Sequence, residues 1–397
     1  MDVTAETLAL LRLKLAPGLG PVLIDRVLEK YQAGAAAVEA IERHGATALS
    51  GIERLGAETA RKISRAMAGT LAAAEDELRA LDGLGARLLG LGDEAYPALL
   101  REIPGAPVVL SVRGTLDEER DRFGVAIVGS RKCTAYGAEQ AARFASGLGS
   151  AGLTIVSGGA RGIDTHAHAA ALRAGARTIV VLGCGLAHCY PPENLGLFQD
   201  VVDAGGAVVS ELAAGAAPES KNFPARNRLI SGMSLGVLVI EAGRKSGALI
   251  TARQAAEEQG REVLALPGRV DSSASEGCLE LLKQGAALAA CPADVLEALE
   301  GPARHAHGAT FGSRYAGDGS YAPGEHVDRP AVTTALPADL SDAQRAICAA
   351  LVEPKTLDEL ARGTGLAAEL LRSETTMLEL RRVLVRDGAR LRVRGVR

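Results

Sequence analysis

Tryptophan is absent from this chain of 397 residues, and aromatic residues together make up only 3% of it. Proteins that hold nucleic-acid bases by stacking need aromatic side chains, so the composition excludes an extensive stacking surface. The six cysteines form no CxxC pair and follow no regular spacing. This pattern predicts reduced thiols, no zinc site and no disulfide framework, and no other motif indicates a cofactor.

Long apolar runs are also missing, since no stretch approaches the ~18 uninterrupted apolar residues that a membrane-spanning helix needs. Residues 1–18 lack the basic start, apolar core and cleavage site of a signal peptide, so we expect a cytoplasmic protein without a membrane segment. The net charge of −4 excludes a protein that coats nucleic acid indiscriminately. Residues 220–240 nevertheless contain three basic residues and no acidic one, so a polyanion is expected to meet a local basic surface.

Residues 1–80 predict an N-terminal all-helical domain of short helices separated by glycines. Two glycine turns, APGLGP at 16–21 and GIERLG at 51–56, each precede an amphipathic run. An apolar residue alternating with glycine at the start of a helix resembles a helix-hairpin-helix unit. In such units the hairpin amides either hold a DNA phosphate or serve packing alone, and the sequence leaves both open.

Residues 84–300 predict a different architecture, in which strands alternate with helices. Most candidate strands are continuous apolar runs, which is typical of parallel strands covered on both faces. The pattern predicts the α/β class, with a central doubly wound, Rossmann-like, mostly parallel sheet whose ligands bind at the carboxyl ends of its strands. The candidate strands are residues 87–91, 108–112, 125–128, 153–157, 178–182, 207–210, 237–240 and 262–266.

The C-terminal part predicts a flexible linker at 301–337, rich in Gly, Ala, Pro, His and Ser, and a separate unit at 338–397. This unit combines three helices with two short strands around an Asp-Gly turn, which is the outline of a winged helix. It either reads DNA or docks a protein, and Glu374 and Glu379 on its third helix favour docking. The helices are predicted at 343–351, 357–362 and 367–382, and the strands within 383–393.

The glycine loop between the strand at 153–157 and the following helix is the strongest candidate for an anion site. Gly158, Gly159 and Gly162 allow the backbone to turn and be approached closely, and several N–H groups then point at one spot. No lysine follows as in an ATP-binding P-loop, and the spacing is not that of a dinucleotide fold. From this segment alone, a phosphate site and a plain structural turn remain equally open.

Four further loops follow predicted strands, and together with the glycine loop they predict a composite anion pocket at one edge of the sheet. The first is Gly129-Ser130-Arg131, where arginine offers a planar fork for phosphate oxygens. The others end in KNFPARNR at 221–228, run through EAGRKSGALITA at 241–252, or consist of PGR at 267–269.

Acidic residues are scarce in these loops, where Asp164 and Glu241 are the obvious ones. Neither has a paired carboxylate or a His-Ser partner at a spacing that general acid–base catalysis requires. We expect Asp164 to accept backbone N–H groups near the start of its helix, and a structural role is favoured for His168. No catalytic residue is therefore predicted.

Five motifs of the central segment together resemble the DNA-processing protein A family, called DprA or Smf. The five ordered motifs span the central domain and are specific in combination. The flanking units also agree, since family members often carry an N-terminal sterile-alpha-motif-like domain and a C-terminal winged helix. The motifs are IVGSR at 127–131, SGGARGID at 157–164, YPPEN at 190–194, FPARNRLISG at 223–232 and SGALITA at 246–252.

The resemblance implies a single-stranded DNA-binding recombination mediator of natural transformation, which protects incoming DNA and helps to load the RecA recombinase onto it. We also expect a homodimer. The family motif near the end of the domain usually contains an Asn, whereas this chain has Gly277-Cys278-Leu279, so the function of that Asn is in doubt here. The residues implied to hold the strand are Gly129, Ser130, Arg131, Ser157, Gly158, Gly159, Gly162, Lys221, Arg226, Asn227 and Arg228, with Ser246 and Thr251 near the rim.

The sequence leaves two alternative functions open. Related glycine-loop sheets include phosphoribohydrolases of nucleoside monophosphates, and an enzyme of that kind would need a carboxylate paired with an arginine, for which Glu241 and Arg244 are the nearest candidates. A transcription factor acting through the winged helix is the second alternative. With phosphates as the main contacts, we expect DNA binding with low sequence preference and a steep dependence on salt.

Overall fold

The computed structural model describes residues 3–308, 340–351, 353–381, 383–387 and 390–393. The chain forms two compact units, Met1–Leu288 and Ala289–Arg397. The predicted linker lies outside the described residues from residue 309 onward. Residues 301–308, also predicted as linker, instead continue the helix Pro292–Gly308, so the prediction for these eight residues differs from the structure.

The first unit contains a long helical segment followed by alternating strands and helices. Its helices are α1 (Ala5–Leu15), α2 (Pro21–Tyr31), α3 (Gly34–His44), α4 (Ala57–Gly83), α5 (Ala98–Arg101), α6 (Glu118–Asp121), α7 (Ala135–Ser150), α8 (Ile163–Arg173), α9 (Leu195–Asp203), α10 (Asn222–Gly232), α11 (Ala248–Arg253) and α12 (Glu276–Lys283). Short 3-10 helices span Gly45–Leu49 and Pro192–Asn194, and a π-helical turn spans Gln254–Glu258. The strands are β1 (Ala86–Gly90), β2 (Val109–Gly114), β3 (Gly124–Val128), β4 (Thr154–Ser157), β5 (Thr178–Val181), β6 (Ala207–Ser210), β7 (Gly236–Val239), β8 (Glu262–Ala265) and β9 (Ala287–Leu288).

These strands form a nine-stranded sheet in the order β1-β2-β6-β5-β4-β3-β7-β8-β9. The seven neighbouring strands β6, β5, β4, β3, β7, β8 and β9 run parallel to one another. Strand β2 pairs antiparallel with β6, and β1 pairs antiparallel with β2 at the edge of the sheet. The predicted α/β class with a mostly parallel sheet is confirmed, and each of the eight predicted strands lies within two residues of an observed one. From β3 the chain continues to β4 on one side and later returns to β7 on the other, so the order reverses between β3 and β7.

Both faces of the sheet are covered, which explains why its strands are apolar throughout. Alternate residues of a strand point to opposite faces. In β5, Val180 packs in one core with Leu13 and Phe198, whereas Ile179 packs in the other with Leu229. The helical segment shares the first of these cores, so residues 3–83 lie against the sheet within one compact unit. The predicted boundary between a helical domain and a sheet domain stays a prediction.

The described residues of the second unit form four helices and a small antiparallel sheet. The helices predicted at 343–351, 357–362 and 367–382 are confirmed with small shifts of their ends. Glu374 is buried and bonds to Gln344 of a neighbouring helix, so it is not on the surface and is no evidence for protein docking. The elements are α13 (Pro292–Gly308), α14 (Asp342–Ala350), α15 (Leu357–Thr364), α16 (Ala368–Leu380), β10 (Lys355–Thr356), β11 (Leu384–Asp387) and β12 (Arg390–Val393), in the sheet order β10-β12-β11.

Among the described helices, none combines the length and the apolar character that crossing a membrane requires.

Candidate functional site

An open cleft of about 770 Å³ lies at the carboxyl edge of the sheet, where the strand order reverses. Its walls come from the loops after β3, β4 and β7, from α10 and α11, and from Ser273 and Glu276 after β8. Ligands of open α/β sheets bind at this position because the loops on either side of the reversal diverge and leave a crevice. The predicted residues that line the cleft are Gly129, Ser130, Arg131, Arg226, Asn227, Ser246 and Thr251.

The loop after β3 supplies exposed positive charge to this cleft. Arg131 and Lys132 are both exposed there. Gly129 is required for close packing, since a Cβ at this position would lie 2.5 Å from the side chain of Ile163 and 2.9 Å from the carbonyl oxygen of Glu241. The loop is thus packed tightly at its start, and its two cations remain open to a ligand.

The glycine loop after β4 differs from the prediction in one important respect. The backbone N–H groups of Gly158 and Ala160 both donate to Asp164 Oδ2, each at 3.2 Å. The amides that were predicted to hold a phosphate therefore hold a carboxylate of the same chain. Asp164 accepts backbone N–H groups as expected, although these precede its helix. Gly159 has φ +65°, and a Cβ there would lie 2.7 Å from Phe198, so its role is in packing.

Arg226 supports the floor of the cleft from inside the protein. Only 4% of the residue is exposed. Its guanidinium donates to the carbonyl oxygens of Gly158, at 2.8 Å, and of Val181, and so joins the ends of β4 and β5. Burial lowers the pKa of Arg226 to about 10, with Asp164 opposing the shift, and the side chain stays charged at neutral pH. Burial likewise raises the pKa of Asp164 to about 6, with Arg226 opposing.

Besides Gly158, Gly159 and Gly162, which do not line the cleft, three further predicted phosphate ligands lie away from it. Ser157 is fully buried and donates to the carbonyl oxygen of Ile127 at 2.6 Å. Arg228 forms an ion pair with Glu211, because residues two apart on a helix point to different sides and Arg226 takes the side of the cleft. Lys221 is exposed, lies 2.7 Å from Glu219 and does not line the cleft.

A small pocket next to the cleft is lined by Arg131, Arg161, Tyr190 and Phe223, among others. Of these four residues, only Arg131 was among the predicted site residues. The rings of Tyr190 and Phe223 lie 5.3 Å apart, and the guanidinium of Arg131 lies 5.2 Å from the centre of the Phe223 ring. Counting every cation in the loops that follow strands would have found Arg161, and also Lys132, Arg244 and Lys245 of the cleft.

Glu241, the candidate for enzyme chemistry, is engaged elsewhere. Its two carboxylate oxygens accept from the backbone N–H and the hydroxyl of Thr134, each at 2.7 Å. Arg244 forms an ion pair with Glu276, in which its Nε lies 3.6 Å from Oε2 of that residue. The carboxylate–arginine pair that the enzyme alternative needs is therefore not formed between Glu241 and Arg244. Within the described residues, no group of three metal-ligating side chains comes together.

His168, on α8, is fully buried and close to Arg226. Its Nδ1 lies 2.7 Å from Thr178 Oγ1, and the Thr178 hydroxyl itself donates to the carbonyl oxygen of Ile155. Nδ1 therefore carries the proton, and the buried Nε2 has no partner among the described residues. Burial, together with Arg226, lowers the pKa of His168 to about 3.

Acidification is expected to destabilise the fold through His168. The unfolded chain takes up this proton near pH 6.5 and the folded protein only near pH 3. Between pH 7 and pH 5 the free energy of unfolding should therefore fall by about 2 kcal/mol through this residue. Asp164 acts in the opposite sense, because its raised pKa adds stability as pH falls through about 6.

The measurement is urea unfolding of the wild type and of His168→Gln at pH 7 and pH 5. Gln keeps an amide donor for Thr178 but does not titrate, so between the two pH values the variant should lose about 2 kcal/mol less than the wild type. Identical pH dependence of the two proteins would contradict the prediction.

A mostly parallel sheet, with a cleft bordered by exposed Arg131, Lys132 and Lys245 where its strand order reverses, defines a protein of the α/β class. The sequence model of the family described as DNA recombination-mediator protein A matches residues 87–300, and the chain belongs to this family. The predicted resemblance is thus confirmed.

Relatives and a solved structure agree with this assignment. "Protein Smf" of Synechocystis is 48% identical over 197 residues, 49% of each chain. The "Putative DNA processing protein DprA" of Mycobacterium tuberculosis is 35% identical over 322 residues, 77% of each chain. The chain thus spans about half the length of the first of these relatives. The X-ray structure of DNA processing protein A from Streptococcus pneumoniae superposes with a TM-score of 0.61 and 34% identity, covering 75% of this chain and 98% of that one.

Proposed function

We propose that this protein binds single-stranded DNA in the cleft between β3 and β7 as a recombination mediator of natural transformation. It protects the incoming strand and helps to load the RecA recombinase onto it. The observation that carries the proposal is the set of cations around the cleft, in which Arg131, Lys132 and Lys245 are exposed. The family description, recombination-mediator protein, supports the same function.

Phosphate contacts dominate this binding, and stacking is limited. Among the described residues that line the cleft there is no aromatic side chain, whereas the neighbouring small pocket is lined by Phe223 and Tyr190. Asp164 occupies the glycine-loop amides, so the phosphates are held by Arg131, Lys132 and Lys245 with Ser130, Asn227 and Ser246 beside them. Cations read charge rather than base identity, and the protein therefore binds single strands with low sequence preference.

Arg131→Ala is expected to weaken binding to an oligo-dT strand at least tenfold at moderate salt, because it removes an exposed guanidinium from the cleft. The measurement is a gel-shift titration over a salt series, in which the slope of log K against log salt should become shallower by about 0.7. Arg87→Ala is the matched control, because Arg87 is an exposed arginine on the edge strand β1. The affinity of this variant for oligo-dT should stay within twofold of that of the wild type. Wild-type affinity of Arg131→Ala would refute this assignment of the site.

The role we propose is binding rather than catalysis, because the carboxylate of Glu241 is taken up by Thr134. We further propose that residues 338–397 are a winged helix, which the succession α14, α15, α16, β11 and β12 supports. The N-terminal helices correspond to the sterile-alpha-motif-like domain, and the protein acts as a homodimer in the cytoplasm, where RecA and the DNA are. Gel filtration coupled to light scattering tests the dimer.

A further inference from the structure

The short loop at residues 129–134, which joins β3 to α7 and carries Arg131 and Lys132, is held at both ends by Glu241. At the first end, the backbone N–H of Ser130 donates to the carbonyl oxygen of Glu241 at 2.7 Å. At the second end, the N–H and hydroxyl of Thr134 donate to the two carboxylate oxygens, also at 2.7 Å each. One residue, more than a hundred positions away in sequence, thus fixes the segment that presents two cations to the cleft.

The carboxylate of Glu241 occupies space that the surrounding residues leave for it. The residue is 4% exposed and lies two positions after the end of β7. A Cβ at Gly137, in the first turn of α7, would lie 2.6 Å from Glu241 Oε2. Thr134 is the N-cap of the same helix, and its hydroxyl oxygen also accepts from the N–H of Gly137 at 3.1 Å. A negative charge at this helix end is favoured by the helix dipole.

We propose that Glu241 is a positioning residue for DNA binding, which holds Arg131 and Lys132 in place before the strand arrives. The inference rests on the proposed function of the cleft. A long exposed side chain on a loose loop loses conformational freedom when it binds a ligand, and this loss weakens affinity. Glu241 removes part of that loss by fixing the backbone on both sides of the two cations. The residue itself does not touch the strand.

The first test compares the affinities of Glu241→Gln, Thr134→Val and the double variant for oligo-dT. Gln presents one acceptor where the carboxylate presents two, and Val removes the hydroxyl. Each single variant is expected to bind about tenfold more weakly, with a shallower salt slope. The double variant should bind no more weakly than the weaker single variant, because both changes break the same clamp. Thr134→Ser, which keeps the hydroxyl, is the control and should bind within twofold of the wild type.

A second variant reaches the clamp from the helix side. Gly137→Ala places a methyl group against the carboxylate, whereas alanine in a helix normally stabilises it relative to glycine. We expect weaker DNA binding at temperatures where the variant is still folded, because the methyl group pushes the carboxylate away from Thr134. A purely structural role of Glu241 would instead lower the thermal midpoint and leave the affinity of the folded protein unchanged. This variant decides the matter if Glu241→Gln fails to fold.

The outcomes separate the two proposals. If Arg131→Ala binds weakly while Glu241→Gln, Thr134→Val and Gly137→Ala bind as the wild type does, the positioning role is wrong and the proposed function stands. If Arg131→Ala itself binds as the wild type does, the cleft is not the DNA site and the proposed function fails. Strictly additive losses in Glu241→Gln and Thr134→Val would also overturn the clamp, because independent residues give additive effects.

Discussion

Replacing Arg226 by alanine is expected to lower the free energy of unfolding by about 3–5 kcal/mol, because a buried charge then remains without its partner. The guanidinium is 4% exposed and donates to the carbonyl oxygens of Gly158 and Val181. Its charge also offsets that of the buried Asp164 carboxylate. Loss of the side chain leaves two carbonyl oxygens without this donor and one carboxylate without its counter-charge. Urea unfolding at pH 7 measures the change.

The coupling between Arg226 and Asp164 can be tested in a double-mutant cycle. Asp164→Asn removes the negative charge that Arg226 offsets. Arg226→Ala should therefore lower the free energy of unfolding less in the Asp164→Asn background than in the wild type, by about 1 kcal/mol or more. Arg131→Ala is the matched control, since Arg131 borders the same cleft but is exposed, and its unfolding midpoint should not move. Additive losses in the cycle would show that the two buried charges act independently.

The second large effect is expected at the amino ends of the strands, opposite the cleft, where Arg177 and Asp121 form a buried ion pair. Both side chains are 7% exposed. Nε of Arg177 lies 2.5 Å from Asp121 Oδ1, and its second amino group lies 2.8 Å from Oδ2. Arg177 also donates to the carbonyl oxygens of Thr115 and Gly205. The pair is therefore well satisfied and ties the starts of β3 and β5 to the loops beside them.

Arg177→Met is expected to lower the free energy of unfolding by about 3–5 kcal/mol, because the carboxylate of Asp121 stays buried without a partner. The double variant Arg177→Met with Asp121→Leu should be more stable than Arg177→Met alone, since apolar replacement of both partners removes the uncompensated charge. Urea unfolding measures both. A loss below about 1 kcal/mol, the size typical of an exposed pair, would contradict the prediction.

DNA binding gives this second prediction its control. Arg177 lies at the amino ends of the strands and the cleft at their carboxyl ends, so oligo-dT affinity of the folded Arg177→Met protein should stay within twofold of the wild type. A large loss of affinity would mean that the ion pair influences the cleft across the length of the strands. Arg226→Ala, by contrast, should lose affinity as well as stability.

The amino-acid sequence was sufficient to predict the strands and that a cleft lies at their carboxyl ends. Continuous apolar runs bounded by glycine give a clear signal for parallel strands, because both faces of such strands are covered. The loops that follow these runs must meet at one edge once the strands are parallel. Five ordered motifs in those loops were also enough to predict the family, and the match to residues 87–300 confirms it.

Only the tertiary structure decided which side chains of those loops line the cleft. Arg226 and Arg228 are two positions apart on α10. The orientation of this helix places the side chain of Arg226 at the cleft and that of Arg228 next to Glu211. The sequence pattern predicted glycine-loop amides that are available to a ligand, yet in the folded chain the N–H groups of Gly158 and Ala160 donate to Asp164. Glu241 holds Thr134 across more than a hundred residues. Local sequence determines strands and turns through short-range sterics and burial, whereas side-chain partners follow from packing between distant segments, which no local pattern encodes.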